Sequence, residues 1–160
     1  MSEDLKHSSQ RIQDLLQNYN LDIKVIEFKE LTRTSKEAAS VIGCEVGQIA
    51  KTLIFKGKKS MKPFCVIASG KNRVDEKKIA QFIGEEIEKP DADFVKEHTH
   101  FVIGGIPPLG YPLEDKPLID EDLMAYQEIW AAAGTPYAVF RITPQDLVKI
   151  TEARIVKIRQ

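Results

Sequence analysis

Short amphipathic helices interleaved with hairpin-like apolar runs predict a mixed α+β fold, one domain around a mainly antiparallel sheet. Two further observations support it. The helical stretches open on capping residues and close on glycines, and nothing in the chain repeats or falls into low complexity. The 160 residues form one domain, residues 1–160, long enough to bury a substantial core.

The elements follow in order. Residues 1–20 read as an amphipathic helix with Leu5, Ile12, Leu15, Leu16 and Tyr19 near one face. A strand is expected over 23–28. Thr34-Ser35-Lys36-Glu37 is a capping box that opens a helix carrying Ala38, Ala39, Val41 and Ile42 and stopping at Gly43. A helical turn over 45–49 feeds a strand over 52–55. That strand pairs with 63–68 as a hairpin around the lysine-rich turn Lys56-Gly57-Lys58-Lys59. Asp75 caps a helix closed by Gly84. A short edge strand over 85–88 and a small helix over 91–97 come next, then a strand over 101–103. Leu118-Ile119-Asp120 leads into a helical turn near 122–126. Strands over 129–132 and 137–142 flank Gly134-Thr135-Pro136, Thr143-Pro144 starts the last helix, and 153–158 is the last strand.

Composition narrows the function classes. Apolar residues at 42 % and charged residues at 29 % are ordinary for a globular protein. No apolar stretch approaches the ~20 residues that span a bilayer, and the polar N-terminus lacks a signal-peptide core. A cytoplasmic protein with no membrane partner is expected. Cys65 lies in the apolar run 64–68 and Cys44 follows a helix end, a spacing that fits inert thiols rather than a disulfide or metal site. The net charge of −1 conceals an asymmetry: nine cations and two anions lie between Lys51 and Lys78. That segment is either a solvated hairpin tip or a face approached by a polyanion.

The chemistry concentrates at two places. Lys51 is a lone cation in the apolar run Ile49-Ala50-Lys51-Thr52-Leu53-Ile54-Phe55, so its ammonium must reach the surface or meet an anion. About fifty residues later, Gly104-Gly105-Ile106-Pro107-Pro108 follows an apolar run; its glycines bare the backbone and its prolines stiffen it. A fixed cation and a rigid backbone loop are what a pocket for an anionic or ester-bearing ligand needs. Phosphate-loop, dinucleotide and serine-hydrolase signatures are absent. His98-x-His100 has no third ligand nearby, and Asp91, Asp93 and Asp120-Glu121-Asp122 sit where helices begin, so capping is their expected role. Trp130 and Tyr137 are read as core aromatics, with stacking on unpaired bases the alternative. Ala131-Ala132-Ala133 leaves room for something to sit against the backbone.

Taken in order, 45–53 around Lys51-Thr52, Ala68-Ser69-Gly70, the Gly104–Pro108 loop and Gly134-Thr135-Pro136 resemble the YbaK family, which includes the editing domain of bacterial prolyl-tRNA synthetase. The resemblance spans residues 23–158. It implies a curved, mixed sheet with short surrounding helices, and an aminoacyl-tRNA deacylase, which cleaves the ester joining a wrong amino acid to a tRNA's terminal adenosine. Lys51 matches the family's essential lysine, and Gly104 to Pro108 match its G-x-x-x-P loop.

The chain shows no convincing Ser-His-Asp or Cys-His set, so positioning and electrostatics must carry the hydrolysis. On this reading the Gly104 and Gly105 N–H groups hold the ester carbonyl or the attacking water, and Lys51 anchors the terminal adenosine. The substrate's own 2′-hydroxyl assists, as the resemblance implies. Thr52, Pro107, Pro108 and Gly134 contribute to substrate binding; Ile49, Ile106, Ala133 and Thr135 form the pocket wall. The lysine-rich segment (Lys56, Lys58, Lys59, Lys71 and Arg73) follows the acceptor-stem phosphates. The expected substrate is tRNA(Pro) carrying a small non-cognate residue such as alanine or cysteine, edited in trans, with prolyl-tRNA synthetase as a partner and with neither metal nor cofactor. Two readings compete: a non-catalytic tRNA-binding module of the same fold, and a small-ester hydrolase.

Overall fold

The computed structural model describes the backbone from Glu3 and the side chains from His7, in both cases through Gln160. Helix α1 (Glu3–Asn18) buries Ile12 and Leu16 against the sheet, each worth about 1.5–3 kcal/mol of transfer from water. Leu5, on the same expected face, lies outside the described side chains. Tyr19 falls beyond the helix end and stands exposed. The strand expected over 23–28 contracts to β1 (Ile26–Glu27). Gln13 of α1 explains the contraction: its amide donates to the Ile23 carbonyl and its side-chain oxygen accepts from the Val25 N–H, both at 2.8 Å. One side chain thus takes the backbone groups that a strand neighbour would use.

Helix α2 (Ser35–Ile42) opens on the predicted capping box, with both Thr34 and Glu37 bonds formed, and closes on Gly43 at φ 84°. Such a cap is worth about 1 kcal/mol. A 3-10 turn, Val46–Gln48, leads into β2 (Ile49–Gly57), which pairs antiparallel with β3 (Pro63–Ser69) as the expected hairpin. Asp75 caps α3 (Glu76–Ile83), β4 (Ile87–Glu88) is the expected short edge strand, and Asp91 caps α4 (Ala92–Thr99).

The strand expected over 101–103 is not one. The Phe101 N–H donates to the Thr99 hydroxyl and the Gly105 N–H closes a turn onto the Val102 carbonyl, so the segment satisfies itself locally. Phe101 is buried while Val102 and Ile103 are both exposed, which breaks the alternation a strand requires. Leu118–Asp120, expected only to lead into a turn, is instead strand β5, followed by a 3-10 turn over Glu121–Ala125. β6 (Ile129–Ala132), β7 (Ala138–Ile142), α5 (Pro144–Thr151) and β8 (Arg154–Val156) complete the chain close to expectation.

The eight strands form one mixed sheet in the order β1-β7-β6-β2-β3-β5-β8, with β4 also on β2. Four pairings are antiparallel; β2 with β6, β3 with β5 and β5 with β8 are parallel. Alternation along the central strands separates two cores. Ile54, Ile67 and Ile119 join α1, Ile129, Phe140 and Leu147 on the main face, whereas Phe55, Val66 and Leu118 meet Ile79, Val156 and Ile158 on the other. No described helix is long and apolar enough to cross a membrane.

Candidate functional site

β2 carries the site because its two edges are used unequally. β3 runs along one edge from Ala50 to Lys56. On the other edge β6 pairs only at Ile49 and Ala50, and β4 only at Lys56 and Gly57. Between them, residues 51–55 have no strand partner on that side, and the sheet is notched. The Ile49 carbonyl and the Gly57 N–H both bond toward the β3 side, to Gly70 and Lys62. Strand alternation therefore turns the backbone groups of Thr52 and Ile54 toward the notch.

A cleft of about 1090 Å³ occupies this notch. Residues 49–55 form its floor, Ala131, Ala132 and Trp130 one side, and Ile103, Gly104 and Ile106 of the glycine loop another. Lys51 and Gly104, fifty-three positions apart, thus line one cavity. Lys51 shares the face of Ile49 and Leu53 and is solvent-exposed, so its ammonium reaches water as its apolar surroundings require.

The loop is fixed by close approach. Gly104 has φ +95°, and a Cβ there would meet the Arg33 stem at 2.4 Å, so Arg33 lies directly on the loop at the cleft. Gly105 packs on the Thr135 backbone, and its N–H is already committed to the Val102 carbonyl at 3.0 Å. This corrects the expectation for Gly105: a donor closing a turn is not available to an ester oxygen. Gly104 keeps its place on the cleft surface. Opposite, the turn after β3 is pinned by buried Asp120. Its carboxylate accepts from the Ser69 N–H at 3.0 Å, the Asn72 amide at 2.8 Å and the Asp122 N–H at 3.0 Å. Asn72 and Arg73 are held at the cleft by this network.

Some predicted residues lie elsewhere. Ile49, Thr52 and Ile106 line the cleft, but Pro107 and Pro108 of the loop, and Ala133, Gly134 and Thr135 behind it, are buried and line no part of it. Thr135 supports Gly105 from below rather than walling a pocket. Among the five candidate phosphate contacts, Arg73 lines the cleft. Lys71 lies over the Tyr126 ring at 5.6 Å, Lys56 over Phe94 at 5.1 Å, and Lys58 sits 3.7 Å from Glu86. Lys58 and Lys59 are at the hairpin tip, roughly 20 Å along the strand from Lys51. Glu85 accepts from the Lys59 and Ser60 N–H groups there, bonds that hold its carboxyl below the usual range.

The fold supplies cations that the sequence reading missed. Arg33, Lys77 and Lys89 join Lys51 and Arg73 around the cleft, accompanied by Asp75 and Glu76. Lys77 lies within the basic segment, but Arg33 and Lys89 carry no local signal because only tertiary structure brings them there. Trp130 lines the cleft too, half-buried beside Ile49, with Arg141 over its ring at 5.9 Å.

Among the described residues no group of three His, Cys, Asp or Glu is arranged to hold a metal. His100 is the C-cap of α4 and His98 packs on Phe94, while Asp91 and Asp120 cap the elements that follow them. Both thiols are free; burial pushes Cys65 up to about 12.

Residues 29–150 match the family described as aminoacyl-tRNA editing domain, and the chain belongs to that family. A solved structure of a proposed trans-editing enzyme for prolyl-tRNA synthetase is 39 % identical with a TM-score of 0.89, the match covering all of this chain and 99 % of that one. The uncharacterized protein YwhH of Bacillus subtilis is 28 % identical over 86 % of this chain and 87 % of its own. EbsC of Enterococcus faecalis, a proposed Cys-tRNA(Pro)/Cys-tRNA(Cys) deacylase, is 24 % identical over 90 % of this chain and 89 % of its own.

Proposed function

We propose that this protein hydrolyses, in trans, the ester of tRNA(Pro) mischarged with a small amino acid. The observation that carries this reading is the cleft at the unpaired edge of β2, which both Lys51 and Gly104 line. In the reaction water adds to the ester carbonyl, the bond to the ribose oxygen breaks, and the oxygen takes up a proton to restore the terminal hydroxyl. The free amino acid leaves. The Gly104 backbone orients the carbonyl or the water, Lys51 holds the terminal nucleotide, and the substrate's 2′-hydroxyl assists the proton transfer. An aminoacyl ester is already activated, so orientation and fixed dipoles supply the remainder.

Membership in the editing family and the likeness to a proposed trans-editing enzyme support this assignment. Discrimination against proline comes from crowding, because an apolar pocket separates neighbouring side chains by only ~1–3 kcal/mol and rejects best by excluding volume. The cleft lining contains neither histidine nor cysteine, which keeps a non-catalytic tRNA-binding module as the second reading. The two separate in one experiment. tRNA(Pro) charged with alanine, cysteine, serine or proline is incubated with the wild type and with Lys51→Ala. The deacylase reading expects loss of at least one small mischarged residue well above the buffer rate and a fall of ~100-fold or more in Lys51→Ala, which remains folded. No turnover by the wild type on any mischarged species overturns the deacylase reading; tRNA binding without turnover then marks the binding module, and cleavage of simple esters without tRNA the small-ester hydrolase.

A further inference from the structure

Among the described residues, two buried side-chain oxygens have no hydrogen-bond partner, Ser35 Oγ and Thr52 Oγ1, and both residues line the cleft. Thr52 is the more telling. Its residue is 9 % exposed, and the other equally buried hydroxyls are all engaged: Ser9 with Glu27, Thr32 with Pro136, Ser69 with Gly47, Thr99 with Val95 and Thr135 with Tyr137. A buried hydroxyl left unpaired is destabilising, so its position in a cleft calls for a ligand atom.

The surroundings define that atom's chemistry. Strand alternation puts Thr52 on the face of Ala50 and Ile54, opposite Lys51. Val95, Ile106 and Ala131 join Ala50 and Ile54 both in the main core and in the cleft lining. This lobe is therefore apolar apart from one hydroxyl, and no neighbour in it offers that hydroxyl a side-chain partner. A ligand entering the notch can leave its nucleotide on the Lys51 face and put its acyl side chain into the lobe.

We infer that Thr52 is the residue that reads the aminoacyl side chain, and that the lobe favours a short side chain bearing one hydrogen-bonding atom, of the CH₂OH or CH₂SH type, over a methyl group. The inference rests on the deacylase reading. Serine and alanine differ by one oxygen, which makes them the test pair. A site that pairs a substrate hydroxyl rejects the analogue lacking it, because its own polar group is then left unpaired.

The experiment measures kcat/KM for seryl-tRNA(Pro) and alanyl-tRNA(Pro) with the wild type, Thr52→Val and Thr52→Ser. The wild type should prefer the seryl ester by about tenfold or more. Thr52→Val, nearly the same shape without the oxygen, should bring the ratio close to one. Thr52→Ser, which keeps the oxygen, should hold it within about twofold of wild type. If Thr52→Val does not fold, Thr52→Ala against Thr52→Ser makes the same comparison. A wild-type ratio near one, or a ratio unmoved by removing the hydroxyl, overturns the inference while leaving the deacylase reading intact. Failure of the wild type to cleave any aminoacyl ester overturns both.

Discussion

Replacing Gly105 with alanine tests how the glycine loop is held. A Cβ at that position would lie 2.6, 2.7 and 2.9 Å from the Thr135 carbonyl carbon, Cα and nitrogen. All three are backbone atoms, so no rotamer change relieves the overlap. The Thr135 turn cannot easily retreat either: it is fully buried, its hydroxyl accepts from the Tyr137 N–H, and Thr32 donates to the Pro136 carbonyl through both N–H and hydroxyl at 2.6 and 2.9 Å. Overpacking of this kind costs about 3 kcal/mol, the upper part of its usual range. In a chain of this size each kcal/mol moves Tm by roughly 2–4 °C, so Gly105→Ala should melt roughly 6–12 °C below wild type. Gly84→Ala is the control. Gly84 has φ +94° but nothing within 4 Å of its Cβ position, so only backbone strain of about 1 kcal/mol applies, a drop of roughly 2–4 °C. Circular dichroism melts of the three proteins decide the matter. If Gly105→Ala melts no lower than Gly84→Ala, the loop is not clamped on Thr135 and the argument for a rigid site wall is wrong.

Other consequences are equally direct. Asp120→Asn should lose about 2–3 kcal/mol in urea unfolding, because both carboxylate oxygens accept and the new NH₂ must replace one of them, facing either the Asp122 N–H or the Ser69 and Asn72 donors; a loss below about 0.5 kcal/mol would refute the network. Cys65, with its thiol pushed up to about 12 by burial, is roughly one part in ten thousand thiolate at pH 8. It should resist iodoacetamide in the native protein and react in denaturant, as read by peptide mass spectrometry; rapid native labelling contradicts that environment. The cleft cations Arg73, Lys77 and Lys89 should govern the salt dependence of tRNA binding. Their joint replacement by alanine should lower the slope of log K against log salt by ~0.7–0.9 for each phosphate that is no longer neutralised, whereas Lys59→Ala should barely change it. The reverse pattern would place the tRNA along the hairpin tip instead.

Lys51, Gly104 and the elements around them were legible because their signals are local. A charge inside an apolar run, a capping box at Thr34 and Glu37, and glycines at Gly43 and Gly84 each announce themselves within a few residues. Residues 101–103 misled because Val102 and Ile103 are apolar yet exposed, held in a turn by Gly105 rather than in a sheet. β5 was missed as a strand for the opposite reason: three residues carry too little pattern, and it forms because β3 and β8 pair on either side of it.

By itself, the sequence determined most of the element types, with 101–103 and β5 the exceptions, together with the hairpin, the lysine and the glycine loop, since propensity, capping and alternation act over a few positions. The tertiary structure alone decided that β6 and β4 leave the middle of β2 unpaired. It also put Arg33 and Lys89 on the cleft that Lys51 lines, buried Gly134 and Thr135 behind the loop, and left the Thr52 hydroxyl without a partner. The physical reason is that a vacancy in a sheet depends on which distant strands pair and where their pairing stops, and no residue within β2 encodes that.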